Sequence, residues 1–266
     1  MKSLLVARLT IKRMLRAHYL LPLLFLALFI MVIYSSQSEF DKYRIAGKID
    51  PLQLLNAGSA SLFILMNVFC FFGSIWLALF IVPEELNSGH MRMNLTKPVG
   101  EVSVLFGHFL AMFAYLVVGA MFLAFALTVA MWMRGGEPGF LILGYVLHLM
   151  PLYGCFLALA NVMVLLVNRP MAVFFCYILG VERILQGLIH ADPNGSLSAI
   201  FRLPLHFIGY VGYAVAPPLS KLEIRISQYM SLDFPWDKYM LVLLYCVSYL
   251  ILAHAIGAWL LRRKEI

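Results

Sequence analysis

The chain has 266 residues, 63% of them hydrophobic and only 12% charged, with a net charge of +7 at neutral pH. Soluble domains carry about 25% charged and about 45–50% apolar residues; a soluble fold of this size cannot cover so much apolar surface, so most of the chain has lipid for its solvent. The positive charge reads as the basic flanks of membrane spans touching anionic headgroups, not as nucleic-acid binding, because no basic stretch interleaves with aromatics outside the apolar runs.

Residues 2–17, KSLLVARLTIKRMLRA, form the first unit. At 100° per residue Lys2, Arg8, Lys12, Arg13 and Arg16 share one face, and Leu4, Ala7, Ile11, Met14 and Leu15 share the opposite one, with Leu5 and Leu9 intruding on the basic side. This pattern predicts an amphipathic helix over 1–18, lying in the membrane interface. A signal peptide is the rival reading. The apolar run that follows ends in IYSSQSEF, without an A-x-A-like cleavage site, which favours an uncleaved helix leading into a span.

Six spans are predicted, at about 19–34, 59–82, 104–133, 140–167, 171–190 and 239–261. With six, residues 1–18, 83–103, 168–170 and 262–266 share one side and hold eleven basic residues; the longer segments 35–58, 134–139 and 191–238 hold eight. The denser side is assigned to the cytoplasm, so both termini are expected there. The segment 201–219, FRLPLHFIGYVGYAVAPPL, is almost long enough to be a seventh span. That count would put LRRKEI outside, against the charge rule, and Pro204, Pro217 and Pro218 oppose a plain span. Re-entrant or interfacial helices on the outer face, within 191–238, are the expectation.

Few residues carry recognisable chemistry. Cys70, Cys155, Cys176 and Cys246 all lie in apolar runs without CxxC spacing and read as buried thiols. His108, His148 and His254 fall in different spans; as axial haem ligands they would make a membrane oxidoreductase subunit, but no helix carries two of them. Asn67 and Asn161 read as interhelical hydrogen-bonding groups. The fifteen methionines are scattered and read as packing. No nucleophile–base–acid set stands out, and no metal site or cofactor is expected in this chain. Glu182, Gln186 and His190 form one stripe on the fifth span, with Arg183 beside it. If they sit at mid-depth, the cost of about 3 kcal/mol or more per charge points to a wet pathway or a dimer seam; if the helix exits early, they are headgroup contacts.

The most polar stretch in the first two thirds is EELNSGHMRMNLTKPVGE, residues 84–101, between the second and third spans. Pro83 can open a helix with Glu84 and Glu85 at its positive end, Gly89 interrupts the regularity, and Pro98 stops a second turn of helix. The expected structure is a helical elbow along the cytoplasmic surface, over 83–103. It is either an ordinary connection or a docking knob built on Met91, Met93 and Leu95.

This stretch resembles the coupling region of membrane subunits of ABC transporters of the second exporter type. The resemblance rests on Glu85 at the end of the second span, LTKPV at 95–99, and Gly107-His108 opening the third; it extends to the basic N-terminal helix, the six-span order and LVNRPMAV at 166–173. Gly100-Glu101 and His108 stand where the family often has Ser-Arg and Lys. The resemblance implies a single permease domain over 1–266 and a partner ATPase that holds ATP and Mg. It also implies ATPase coupling through Glu84, Glu85, His90, Met91, Arg92, Lys97 and Pro98, and a pathway or dimer seam through Glu182, Arg183 and Gln186. The chain itself has no G-x-x-x-x-G-K-[ST], so it carries no P-loop.

The expected fold is therefore all-α and polytopic. The expected function is the non-enzymatic permease subunit of an exporter, paired with a second permease in a bacterial or archaeal cytoplasmic membrane. The alternative is a membrane anchor or assembly protein that recruits a soluble partner without transport.

Overall fold

A computed structural model describes residues 2–16, 67–83, 100–133, 141–180, 199–216 and 236–264. Among these residues every regular element is helical. In order they are α1 (Lys2–Arg16), α2 (Asn67–Pro83), α3 (Glu101–Met133), α4 (Leu141–Leu166), α5 (Arg169–Gly180), α6 (Ala199–Val215) and α7 (Trp236–Lys264). Helices α3, α4 and α7 are long and apolar enough to cross a membrane, and α2 and α5 are shorter apolar helices. This is consistent with an integral membrane protein, where backbone groups have no water to bond and must pair within the helix. The expected first span, 19–34, lies outside the described residues, as do 59–66 of the second and 181–190 of the fifth.

The core is built around α4. Residues 152–160 are buried without a break, so no side of this stretch is left for solvent or lipid. In the most apolar stretch of each long helix, 78% of α4 is buried, against 50% of α3 and 22% of α7. Small residues at Gly154, Cys155, Ala158 and Ala160 let neighbours approach closely. Pro151 lies within α4 without ending it.

Helix α2 runs parallel to α4. The Tyr153 hydroxyl donates to Asn67 Oδ1 at 3.0 Å, and Phe71 stacks on Phe156 with centroids 4.9 Å apart. Asn67 thus makes the interhelical bond expected of it. Helix α7 is also parallel to α4. The rings of His148 and Tyr239 are 5.4 Å apart, the Cys155 thiol donates to the Cys246 carbonyl at 3.7 Å, and Val162 and Ala253 line one cavity. Both helices step by seven residues between these pairs, the spacing of a parallel coiled-coil seam. Helix α3 runs antiparallel to α7. Glu101 meets Arg262, Phe106 and Phe109 meet His254, and Leu105 lies against Gly257.

The parallel pairing of α4 and α7 has a topological consequence. Where α4 ends, the chain is at the opposite end of the bundle from where α7 begins, so residues 167–235 traverse its length a net single time. Asn168 starts α5, its side-chain oxygen accepting from the Met171 amide at 3.3 Å ahead of Pro170 in the first turn. Helix α6 continues through Pro204, and the carbonyl of its last residue, Val215, accepts from the Tyr249 hydroxyl at 2.9 Å. Tyr249 lies about 20 Å along α7 from Trp236, at 1.5 Å per residue, so α6 ends against the middle of α7.

Helix α1 packs on α3 by a face distinct from the apolar one expected to lie in the membrane interface. Val6, Ala7, Thr10 and Met14 are buried, while Leu4 and Leu15 are exposed. The packed face is turned roughly a fifth of a turn from the apolar face, at 100° per residue. Gly107 and His108 set this phase. A Cβ on Gly107 would stand 2.7 Å from both the Ser3 carbonyl oxygen and Val6 Cβ, so the two helices touch backbone to backbone. The expected outcome for Gly107→Val is separation of α1 from α3, a loss of about 2 kcal/mol or more. Faster proteolysis within residues 2–16 of the folded protein would register it.

Candidate functional site

The residues singled out from the sequence fall on segments whose flanks, rather than whose own positions, are described. Glu84, Glu85, His90, Met91, Arg92, Lys97 and Pro98 lie outside the described residues, and so do Glu182, Arg183 and Gln186. Pro83, expected to open the elbow, belongs to α2 and is buried there with Ile81 and Val82. The other flank is Gly100, whose carbonyl accepts from the amides of Ser103 and Val104 and starts α3.

Three contacts fix the end of the bundle where that segment is mounted. The first is the buried joint between α1 and α3. The Thr10 hydroxyl donates its hydrogen to the Val6 carbonyl at 3.0 Å. Its oxygen is therefore left to accept, and the His108 ring donates from Nδ1 at 3.0 Å. The second is the ion pair between Arg262, in the last turn of α7, and Glu101, in the first turn of α3, at 3.2 Å. Glu101 also sits at the positive end of its own helix. The third is Arg263, whose guanidinium lies 4.0 Å above the Trp259 ring, a cation–π contact at the end of α7.

Helix α1 presents a mixed outer face at this end. Arg8 and Lys12 are exposed between Leu4 and Leu15 on one side and Leu5 and Leu9 on the other; Arg13 is half-buried. The crossing at Gly107 lies about 10 Å along α3 from Glu101. This arrangement suits a helix at the boundary of acyl chains and headgroups, with leucines inward and cations outward.

The three histidines occupy separate interhelical or local contacts. His108 bonds Thr10, His148 packs on Tyr239, and His254 donates from Nδ1 to the Leu250 carbonyl at 2.7 Å between the edges of Phe106 and Phe109. Among the described residues no cluster of three metal-ligating side chains forms. The four cysteines are all buried and unoxidised, as the sequence suggested. Asn161 does not make the interhelical bond expected of it: its Oδ1 is buried with no hydrogen-bond partner. Sequence reading missed the pairing of Cys155 with Cys246 and of Asn161 with a cavity at His254. The seven-residue step shared by α4 and α7 was the available signal.

Because Arg262 is well exposed, its pair with Glu101 is a local tether and not a source of global stability. Glu101→Lys is expected to free the last turn of α7, read as faster clipping of the C-terminus by a protease. Combining it with Arg262→Glu should restore the native rate. Comparison of the chain with family models, curated proteins and solved structures gives no match.

Proposed function

We propose that this chain is the membrane-spanning subunit of an ATP-driven exporter. In this reading six spans cross the membrane, residues 84–99 form a cytoplasmic coupling elbow, and a separate ATPase docks on that elbow. The observation that carries the reading is the polar, Pro-bounded segment strung between α2 and α3, whose flanking ends are set in the bundle: Pro83 is buried at the end of α2, and Gly100 starts α3, with Val104 and Leu105 buried one turn on. A force applied to such a segment reaches the bundle through rigid helices. The resemblance of Glu85 and LTKPV to the ABC exporter coupling region gives that force a source.

Two further features support the reading. Helices α2, α4 and α7 run in one direction and α3 in the other, which is the alternation required of the second, fourth, sixth and third of six spans. The end of α6 against mid-α7 suits a helix that enters from the outer face and turns back.

Mechanistically, ATP closes two ATPase subunits against each other, and each elbow moves with the ATPase surface that holds it. The motion passes to α2 and α3, and from α3 to α1 and α7. Two permease chains then rock, displacing substrate toward the outer face. The coupling requires the elbow to bind the ATPase differently in its open and closed states. Anionic lipid holds α1 through Arg8 and Lys12 while this happens. Glu182, Arg183 and Gln186 line the pathway or the seam between two permeases.

The decisive experiment is a pull-down of the tagged chain in gentle detergent, with mass spectrometry of retained proteins, repeated with residues 86–97 replaced by a Gly/Ser linker. An ATPase retained by the native chain and lost with the linker is the expected result. No ATPase with either chain overturns the exporter reading and favours the membrane anchor. Glu85→Ala is expected to leave the fold intact while separating ATP hydrolysis from transport; unchanged coupling would remove Glu85 from the mechanism. Glu182→Leu should slow transport if the stripe lines the pathway, and an unchanged rate would assign it to the headgroups.

A further inference from the structure

Between α3, α4 and α7 lies a cavity of about 20 Å³ whose lining includes Leu105, Ala158, Asn161, Ala253, His254 and Gly257. Asn161 Oδ1 is buried and accepts no hydrogen bond. His254 donates its Nδ1 hydrogen to the Leu250 carbonyl, which leaves the second nitrogen of the neutral ring as an acceptor. Two acceptors therefore belong to residues around one small space, in a part of the molecule where the surrounding side chains are apolar. A buried amide oxygen left without a donor is costly, and more so where no bulk water can reach it.

The size of the cavity selects its occupant. A water molecule needs about 10–15 Å³ of such space, and this cavity has room for one. We propose that one structural water occupies it, donating to Asn161 Oδ1 and to the free nitrogen of His254, so that α4 and α7 are joined through it.

Gly257 supplies independent support. Glycine is a poor helix former compared with alanine. A Cβ at this position would stand 3.4 Å from its nearest neighbour, Leu105 Cδ1, which is ordinary contact, so packing does not demand glycine. The three atoms nearest that Cβ, on Leu105, Leu165 and Val162, all belong to residues that line the cavity with Asn161, so the missing methyl leaves part of that space.

The test uses the full chain in lipid nanodiscs and the apparent midpoint of thermal unfolding. If the cavity is only a packing gap, Gly257→Ala fills it and raises the midpoint. If it holds the water, the methyl displaces that molecule and strands Asn161, and the midpoint should fall by about 3 °C or more. In an Asn161→Leu background nothing remains to be stranded, and Gly257→Ala should then be neutral or stabilising. A rise in the native background, or an equal fall in both, overturns the proposal. Should Asn161→Leu fail to fold, an electron-microscopy map of the native chain at a resolution that orders water decides instead. A density peak within hydrogen-bonding distance of Asn161 is expected, and its absence overturns the proposal.

Discussion

Residues 152–160 of α4 have no free side, and the rest of the bundle is arranged by that constraint. In lipid, apolar side chains gain little by leaving one greasy surroundings for another, so helices associate through close packing and a few hydrogen bonds. The run from Leu152 to Ala160 provides both. Its small residues admit neighbours closely, while Tyr153 and Cys155 each reach out to a polar atom on a different helix. Phe156 takes the Phe71 ring from α2. Removing any one neighbour would expose part of α4 without giving it an equivalent partner.

The consequence is a division between a fixed interior and a yielding exterior. Helix α7 is mostly exposed along its apolar length, yet it is held at intervals: His148 and Cys155 meet it from α4, and Phe106, Phe109 and Glu101 meet it from α3. Helix α1 is held along its length, by the buried Val6, Ala7 and Met14 as well as the close backbone contact at Gly107 and the buried hydrogen bond at His108. A helix fastened at discrete points, as α7 is, can tilt about those points without dissolving the core.

Much of the fold was legible along the chain. The third, fourth and last spans, expected at 104–133, 140–167 and 239–261, correspond to helices that begin and end within three residues of those limits. The fifth span, expected from 171, corresponds at its start to α5, which begins at Arg169. The candidate elbow could be located as a polar interval between apolar runs, although its own side chains fall outside the described residues. What could not be read was any feature that depends on a partner far away in sequence. The apolar face of α1 that includes Leu4 and Leu15 was legible, but not the separate face, with Val6 and Thr10, that the approach of Gly107 and the bond from His108 turn inward. Asn161 looked like Asn67, and only the packing of α2 on α4 gives Tyr153 to Asn67, while Asn161 faces α7 without a partner for its Oδ1.

By itself, the sequence determined that the chain is helical and that several of its helices are of membrane length. Helical hydrogen bonds join residues four apart, and a lipid solvent imposes a minimum apolar length, so both properties are written locally. The tertiary structure alone decided that α2 and α7 both pack on α4, the face on which α1 packs and the placing of polar atoms along the α4–α7 seam. Those depend on how rigid helices fit together over separations of up to 161 residues, as between Glu101 and Arg262, and no local pattern specifies which surface will meet which.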